Sequence, residues 1–248
     1  MPDILVTDDG PVRTIRINRP DKKNALTLPM YDAMSDAIEG AADNAGIRCL
    51  LIAGAPDVFC AGNDIGDFIK MAQGGGLGEP IVRFLHVLAR CEKPIVAAVN
   101  GNAVGIGTTM LLHCDYVVAG DTAKLSTPFV GLGLVPEAAS SLLAPRLMGH
   151  ARAFSLLVMG QPLSATEAKD AGIVNEVVAP SETDARALAA AQKIAALPAQ
   201  GVLASRRLMR GSADEIVARI DEEAEAFKLR LRSPEAQAAF MAFMTRKK

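Results

Sequence analysis

The centre of this chain predicts a buried strand that runs into a glycine turn and then into an apolar helix. Residues 95–99 (IVAAV) are short, apolar and rich in β-branched side chains, which is typical of a buried strand. Gly105 and Gly107 flank Ile106 in the turn, and residues 108–114 (TTMLLHC) are predicted to form the helix. Backbone N–H groups at a helix start lack partners within the helix and lie at the positive end of its dipole. We therefore expect an anion site at this turn.

The same order of strand, turn and helix occurs elsewhere along the chain, and this favours an α/β fold. Apolar runs that predict buried strands lie at Leu50, at Ile95 and at residues 116–118. Residues 4–7 and 12–18 alternate in hydrophobicity around an Asp-Asp-Gly turn, which predicts a β-hairpin.

The C-terminal part of the chain has a different pattern. From Glu182 onward the apolar spacing is helical, with breaks at Pro198, at Gly211 and at residues 233–234. A change from mixed to helical pattern indicates a separate helical layer. We therefore expect a core domain of residues 1–196 and a helical C-terminal subdomain of residues 197–248.

Composition and charge disfavour several classes of partner. The formal net charge of −2 gives no electrostatic basis for nucleic-acid binding. No apolar run approaches the ~18 residues of a membrane span. The first residues, MPDILVTDDG, are acidic where a signal peptide is basic, so we expect a cytoplasmic protein.

Neither the cysteines nor the histidines have the spacing of a metal site. These residues are Cys49, Cys60, Cys91, Cys114, His86, His113 and His150. No Cys-x-x-Cys pair is present, and the cysteines lie in apolar segments, as buried reduced thiols do. We expect no metal site.

Six short motifs, in order along the whole chain, resemble the crotonase family, also called enoyl-CoA hydratase/isomerase. They are Asn18-Arg19-Pro20 with Asn24-Ala25-Leu26, residues 59–64 (FCAGND), Asn100-Gly101 with Gly105-Ile106-Gly107, Cys114-Asp115, residues 131–136 (GLGLVP) and residues 233–236 (SPEA). Each motif alone is weak, and their order and spacing together make the resemblance specific. It implies a spiral of ββα units with a helical C-terminal trimerisation region, assembly as a homotrimer or dimer of trimers, and an acyl-CoA thioester as substrate.

The resemblance also implies an oxyanion hole built from two backbone N–H groups. They would belong to Asn63, in the Ala-Gly-Asn-Asp motif, and to Ile106, between the two glycines of the turn. This agrees with the anion site expected there, because an enolate oxygen needs two convergent donors. Loss of one such donor costs about 3–4 kcal/mol of transition-state stabilisation.

A set of substrate-binding residues follows from the same resemblance. They are Lys23, Ala25, Leu26, Ala61, Asn63, Asp64, Ile65, Gly105, Phe243 and Arg246. Backbone carbonyls of Ala61, Asn63 and Ile65 would bind the adenine, and Phe243 and Arg246 would reach CoA from a neighbouring subunit. For Phe243 and Arg246 a solvated basic tail is an equal alternative, and Asp64 is expected to be a helix cap rather than a catalyst. CoA enters as part of the substrate, so no separate cofactor is expected.

The departures from the family pattern indicate which reaction to expect. Enoyl-CoA hydratases of the family use two glutamates, and this sequence has Thr109 and Phe129 at those positions. Glu137, after Leu134-Val135-Pro136, matches the position at which isomerase-type members often have their acid/base carboxylate. We therefore expect a Δ3,Δ2-enoyl-CoA isomerase with Glu137 as the catalytic residue. Apolar neighbours would raise the pKa of Glu137 and a helix N-terminus would lower it, so its direction stays open.

Three alternatives remain at this point. The nearest is hydratase activity through a non-standard arrangement, followed by a non-catalytic acyl-CoA-binding protein. A hydrolase would draw on Ser126, Ser140, His113 and His150, but the chain has no Gly-x-Ser-x-Gly motif.

The C-terminal helices contain more apolar residues than one amphipathic face needs, so we expect some of them to be buried between subunits. These residues are Leu208, Ile216, Ile220, Phe227, Phe240, Met241, Phe243 and Met244.

Overall fold

The computed structural model describes residues 1–64, 66–67 and 77–245, with positions 240 and 243–245 described by their backbone alone. The expected substrate contacts of Ile65 and Arg246, and those of the Phe243 side chain, lie outside the described part. So do the expected subunit contacts of the Phe240 and Met244 side chains.

Ten strands form two sheets in the described part of the chain. They are β1 (Ile4–Asp9), β2 (Val12–Ile17), β3 (Cys49–Ala53), β4 (Val58–Cys60), β5 (Ile95–Val99), β6 (Asn102–Val104), β7 (Tyr116–Gly120), β8 (Lys124–Ser126), β9 (Leu163–Ser164) and β10 (Glu176–Val178). The larger sheet has the order β1-β2-β3-β5-β7-β10 and the smaller has the order β4-β6-β8-β9. β1 and β2 form the expected antiparallel hairpin, with Ile4 opposite Ile17.

Helices connect and cover these sheets. They are α1 (Leu28–Ala42), α2 (Glu79–Arg90), α3 (Ile106–Thr109), α4 (Ser140–Leu157), α5 (Ala165–Asp170), α6 (Thr183–Ala196), α7 (Ala199–Arg210), α8 (Ala213–Leu231) and α9 (Pro234–Thr245).

Successive strand pairs are divided between the two sheets, which produces a spiral. β3, β5 and β7 are parallel neighbours in the larger sheet. The strands that follow them, β4, β6 and β8, are parallel neighbours in the smaller sheet. Each pair then leads to a helical segment, so the chain repeats a ββα unit. The expected α/β spiral with a helical C-terminal region is confirmed.

Two local expectations were wrong. The helix predicted for residues 108–114 is shorter: α3 begins at Ile106 and passes after Thr109 into a 3₁₀ helix, Met110–His113. The helix N-terminus expected to act on Glu137 belongs to α4, which begins only at Ser140. Ala138 (φ 62°) and Ala139 (φ 54°) adopt the left-handed conformation, which interrupts the chain between Glu137 and α4.

The core is built around the fully buried central strands β3 and β5. On one side of the larger sheet, α6 packs with Ala187, Ala191 and Ala195 against side chains such as Leu51 and Val96. Alanines four residues apart form one face of a helix and permit close approach to the sheet. The division at residues 196/197 stays a prediction.

The C-terminal helices bury only some of the residues expected between subunits. Ile216, Ile220 and Phe227 on α8 are at most 3% exposed within the single chain, so an interface is not what buries them. Leu208 and Met241 are 86% and 67% exposed, and the neighbouring Met209 is 87% exposed. The apolar pattern correctly predicted that Ile216, Ile220 and Phe227 are buried, but they are buried within the chain and not between subunits.

No single described helix is long and apolar enough to cross a membrane. Residues Pro180–Ala196 and α7 reach the required length and composition only together, and they are bent by 108° at their junction.

We expect the protein to sediment as a trimer or hexamer of 26.0 kDa chains, because Leu208 and Met209 present apolar surface on α7. Leu208→Glu should weaken this association while leaving the fold intact. Gln200→Glu, a charge at an exposed polar position of the same helix, is the matched control. Sedimentation velocity at micromolar concentration measures the mass, and a stable monomer of the wild type would contradict the expectation.

Candidate active site

The first expected donor lies in the loop after β4, which is held by pairing with residues near the start of the chain. The Leu26 N–H donates to Gly62 O at 2.8 Å, and the Asp64 N–H donates to Leu26 O at 2.8 Å. In an extended segment successive N–H groups alternate in direction, so the Asn63 N–H is directed away from Leu26. Among the described residues it has no acceptor.

Two polar side chains of the first of the six motifs, for which no separate role was expected, fix this loop. Asn24 is fully buried and left-handed (φ 57°), and its Nδ2 donates to Val58 O (3.0 Å) and Phe59 O (3.1 Å). Asn tolerates this conformation better than most residues, and its amide satisfies carbonyls that burial would otherwise leave unpaired. Arg19 Nη1 donates to Asp64 Oδ2 at 2.8 Å.

Asp64 has the capping role expected of it. Its Oδ1 accepts from the Gly66 N–H at 2.9 Å and from the Asp67 N–H at 3.4 Å. Burial acts to raise the pKa of Asp64, but these bonds and the one from Arg19 hold it below its usual value. The carboxylate therefore anchors the segment directly after Asn63.

The second expected donor lies at the start of α3. Gly105 (φ 57°) turns the chain so that Ile106 is the first helical residue. Its N–H has no acceptor among the described residues, whereas the N–H groups of Thr108 and Thr109 both donate to Gly105 O at 2.9 Å. This is the unpaired helix start expected from the sequence.

Close backbone contact brings the two donor loops together. A Cβ at Gly107 would lie 2.7 Å from Cys60 O, which is closer than such atoms approach. A Cβ at Gly62 would lie 3.1 Å from Val104 O, and Gly62 also has a φ of 90° that disfavours other residues. Glycine at both positions lets the loop after β4 pack directly against the turn that begins α3.

A cavity of about 570 Å³ opens between these loops. Six of the expected binding residues line it: Lys23, Ala25, Ala61, Asn63, Asp64 and Gly105. Its apolar wall includes Val104, Phe129, Leu132, Leu134 and Phe227. Leu26 is only 1% exposed and does not line the cavity, because its backbone pairing with Gly62 and Asp64 turns its side chain into the core. The expectation that Leu26 contacts the substrate was therefore wrong.

Glu137 is 2% exposed and is not among the described residues that line this cavity. Its Oε1 accepts from Thr109 Oγ1 at 2.5 Å, and its Oε2 has no partner among the described residues. Through Thr109 the carboxyl lies within one helical turn of Gly105, which lines the cavity. Thr109, which stands at the position matched to a hydratase glutamate, is thus the direct hydrogen-bond partner of Glu137.

Burial decides the direction of the pKa that the sequence left open. It raises the pKa of Glu137 to about 8, against the lowering effect of the bond from Thr109 and with a smaller raising effect from Glu223. The start of α4 is separated from Glu137 by the two left-handed alanines, so the helix dipole does not oppose burial here.

Glu223 was missed by the sequence analysis, although it supports the same bend. It is 6% exposed, and its Oε2 accepts from the Ala139 N–H (2.6 Å) while its Oε1 accepts from the Ser141 N–H (2.9 Å). A carboxylate from α8 therefore caps the start of α4. Burial raises the pKa of Glu223 although these donors favour its charge. Its position on the apolar stripe of α8, with Ile216, Ile220 and Phe227, was the available signal.

Tyr31 is a second missed residue. It is fully buried, and its hydroxyl donates to Asn63 Oδ1 at 2.6 Å. Burial raises the pKa of Tyr31 well above its usual value, with a further contribution from the charge of Glu137. Tyr31 therefore orients the Asn63 side chain and lies near Glu137. Its place on the apolar face of α1 suggested only core packing.

His113 has a structural contact instead of a catalytic one. Its Nε2 donates to Ala138 O at 2.8 Å, and burial lowers the pKa of His113 to about 4, so the ring is neutral. No serine hydroxyl bonds to a histidine in the described part of the chain, which removes the geometric basis of a hydrolase. Across the same residues, no three of the His, Cys, Asp and Glu side chains converge as a metal site would require.

Glu137→Gln should flatten the pH dependence of stability. The pKa of Glu137 is about 8 when folded and about 4.3 when unfolded, so the folded state retains a proton that the unfolded state has lost. The stabilisation of the folded state by Glu137 is complete below about pH 4. It falls by ~1.4 kcal/mol per pH unit above that and is lost as pH rises through about 8. Chemical denaturation should therefore show the stability of the variant rising relative to that of the wild type between about pH 4 and about pH 8. Parallel curves would place Glu137 in a solvated environment.

Comparison with known proteins agrees with this geometry. The family model described as enoyl-CoA hydratase/isomerase matches residues 8–248. Enoyl-CoA delta isomerase 2 of Rattus norvegicus is 38% identical over 98% of this chain, which spans 64% of the rat protein's length. Crotonyl-CoA hydratase of Syntrophomonas wolfei is 32% identical over 99% of this chain and 96% of its own.

The backbone of this chain is also similar to that of a solved structure. The structure of Pseudomonas aeruginosa OdaA superposes with a TM-score of 0.93 and 43% identity, covering 98% of both chains. Some relatives are named isomerase and others hydratase, so the comparisons show the family and not a single reaction. On this evidence the chain belongs to the enoyl-CoA hydratase/isomerase family.

Proposed function

We propose that the protein shifts the double bond of a 3-enoyl-CoA to give a 2-enoyl-CoA, with Glu137 as the sole proton carrier. The observation that carries this proposal is a buried carboxyl whose pKa is raised to about 8, one helical turn from the donor loop at Gly105. A group with a pKa near the working pH can both take and return a proton.

The reaction needs one base and one site for negative charge. The ionised Glu137 removes a proton from C2 of the acyl group, and the electron pair moves onto the thioester oxygen as a dienolate. The N–H groups of Asn63 and Ile106, which have no acceptor among the described residues, would donate to that oxygen. The protonated Glu137 then returns the proton at C4, and the double bond lies between C2 and C3.

Access to Glu137 sets a condition on substrate binding. Because the Glu137 side chain is buried and does not line the cavity in the described part of the chain, we expect binding of the acyl group to open a path to its carboxyl. Contacts of catalytic groups commonly tighten only in the substrate complex. Lys23 and Ala61 at the cavity would contact the CoA part of the substrate, and no separate cofactor enters this proposal.

Hydration is the alternative from the same family, and relatives named hydratase support it. It needs an activated water together with a proton source for the α-carbon. Thr109 cannot take a proton from water at neutral pH, and its hydroxyl already bonds to Glu137. Phe129, 7% exposed, is part of the apolar wall. A non-catalytic acyl-CoA-binding protein is a third possibility, and turnover of any enoyl-CoA would eliminate it.

We expect Asn63 and Ile106 to act through their backbone N–H groups. Ile106→Pro removes a donor at the first helical position, where proline is tolerated, and should lower kcat by about 10²–10³-fold. Ile106→Ala keeps the donor and is the matched control. Asn63→Ala should retain most activity and instead lose stability, because the buried Tyr31 hydroxyl loses its acceptor. Equal loss of activity in Asn63→Ala and Ile106→Pro would assign the role to the Asn63 side chain.

Glu137→Gln should lower the rate of conversion of 3-enoyl-CoA to 2-enoyl-CoA by about 10²–10⁴-fold, with substrate affinity little changed. In the wild type the rate should rise as pH increases through about 8, since the ionised carboxyl is the base. Glu225→Gln, an exposed glutamate on α8, is the control and should behave as wild type. Water addition to the 2-enoyl product is measured alongside. Fast hydration that survives Glu137→Gln would assign the chemistry to another residue.

A further inference from the structure

A second pocket, of about 290 Å³, lies between the C-terminal end of α2 and the junction of α7 with α8. None of its lining residues lines the candidate active site. Its polar side chains are Arg90, Glu92, Arg206, Arg207, Arg210 and Ser212. Four arginines with one glutamate give this wall a strongly positive character.

Two of these guanidinium groups contain buried nitrogen atoms without a partner in the described part of the chain. The Arg206 side chain is 10% exposed; its Nε bonds to Asp115 at 2.8 Å and its Nη1 donates to Cys91 O at 2.5 Å. Its Nη2 has no acceptor, and the same holds for Arg210 Nη1. A buried charged donor left unpaired costs more free energy than an unpaired neutral one.

The charges around the pocket do not balance. Arg206 pairs with Asp115, Arg90 pairs with Asp214 at 3.0 Å, and Arg207 contacts Glu92 at 3.5 Å. Arg210 has no ion pair among the described residues, and Asp115, the carboxylate that acts favourably on it, is already paired with Arg206. Burial, and then the charge of Arg206, lower the pKa of Arg210, which shows that its surroundings disfavour the cation.

The start of α8 adds backbone donors to the same wall. Gly211, Ser212 and Ala213 line the pocket, and the N-cap residue Ser212 makes no side-chain capping bond. The acidic residues of the first turn are already paired, Asp214 with Arg90 of the pocket wall and Glu215 with Arg146. A helix of 19 residues thus presents its positive end beside two unpaired guanidinium nitrogens.

We propose that this pocket binds a small oxyanion of the phosphate or sulfate class, between the guanidinium groups of Arg206 and Arg210 and the first turn of α8. Guanidinium groups match the oxygens of such anions in geometry and charge. An anion here would compensate the charge of Arg210 and provide acceptors for both unpaired nitrogens. The phosphate could be free or part of a larger molecule, and CoA is the phosphorylated molecule that the proposed function supplies.

Isothermal titration calorimetry with inorganic phosphate, at fixed ionic strength, tests the proposal on the full chain. Wild type should bind phosphate, and Arg210→Gln should bind it at least about 10-fold more weakly, since one charge-assisted contact is lost. Arg152→Gln, an exposed arginine on α4 outside the pocket, is the matched control and should bind as wild type. Arg210→Lys, which keeps the charge, should bind with an affinity between those of wild type and Arg210→Gln.

A second titration, in saturating CoA, distinguishes the sources of the anion. Loss of the Arg210-dependent phosphate binding would identify a phosphate of CoA as the occupant, and its persistence would identify free phosphate. Absence of phosphate binding to wild type, or equal binding by Arg210→Gln, would overturn the proposal. A lower sedimenting mass of Arg210→Gln without any phosphate effect would also overturn it, since a carboxylate of a second copy would then fill the pocket.

Discussion

The position of Glu137 depends on a bend that the backbone makes only under constraint. Ala138 and Ala139 are both left-handed, at a cost of about 1–2 kcal/mol each, and alanine offers no compensation of its own. Glu223 accepts from the N–H of Ala139, and His113 donates to the carbonyl of Ala138. Two buried side chains from other elements thus hold both polar groups of the bend. The raised pKa of Glu137 follows, because the bend keeps its carboxyl in the interior.

The donor loops depend on a different constraint, the closeness of two backbones. Gly107 against Cys60 and Gly62 against Val104 leave no space for a side chain, so two successive ββα units meet through main-chain atoms. Asn24 and Arg19 then fix the loop after β4 from the N-terminal side. In the proposed mechanism, the N–H groups of Asn63 and Ile106 would reach one substrate oxygen because neither backbone is held away by a Cβ.

The features that periodicity and local motifs encode could be predicted from the sequence. Strands such as β5, the hairpin and the glycine turn around Ile106 are short-range patterns, and the structure has them. The cap from Glu223 to Ala139 joins residues 84 apart, and the apolar stripe that includes Glu223 predicts its burial but not its partner. Leu26 and Ile220 show a second reason: an apolar pattern predicts that a side chain is buried, but not which part of the structure it packs against. The pKa of Glu137 depended on which of two opposing effects, burial or a helix N-terminus, was larger, and the burial seen in the structure raises it.

The hydroxyl of Thr109 has one proton and two acceptors, Glu137 Oε1 at 2.5 Å and Gly105 O at 3.3 Å. Gly105 O and the Ile106 N–H belong to the same peptide group, so a hydrogen bond to that oxygen polarises that N–H. An ionised Glu137 holds the Thr109 proton, whereas a protonated Glu137 can itself donate and frees the proton for Gly105. Protonation of Glu137 and polarisation of the Ile106 N–H are therefore linked through a single rotatable hydroxyl, so that each responds to the other within one turn of helix.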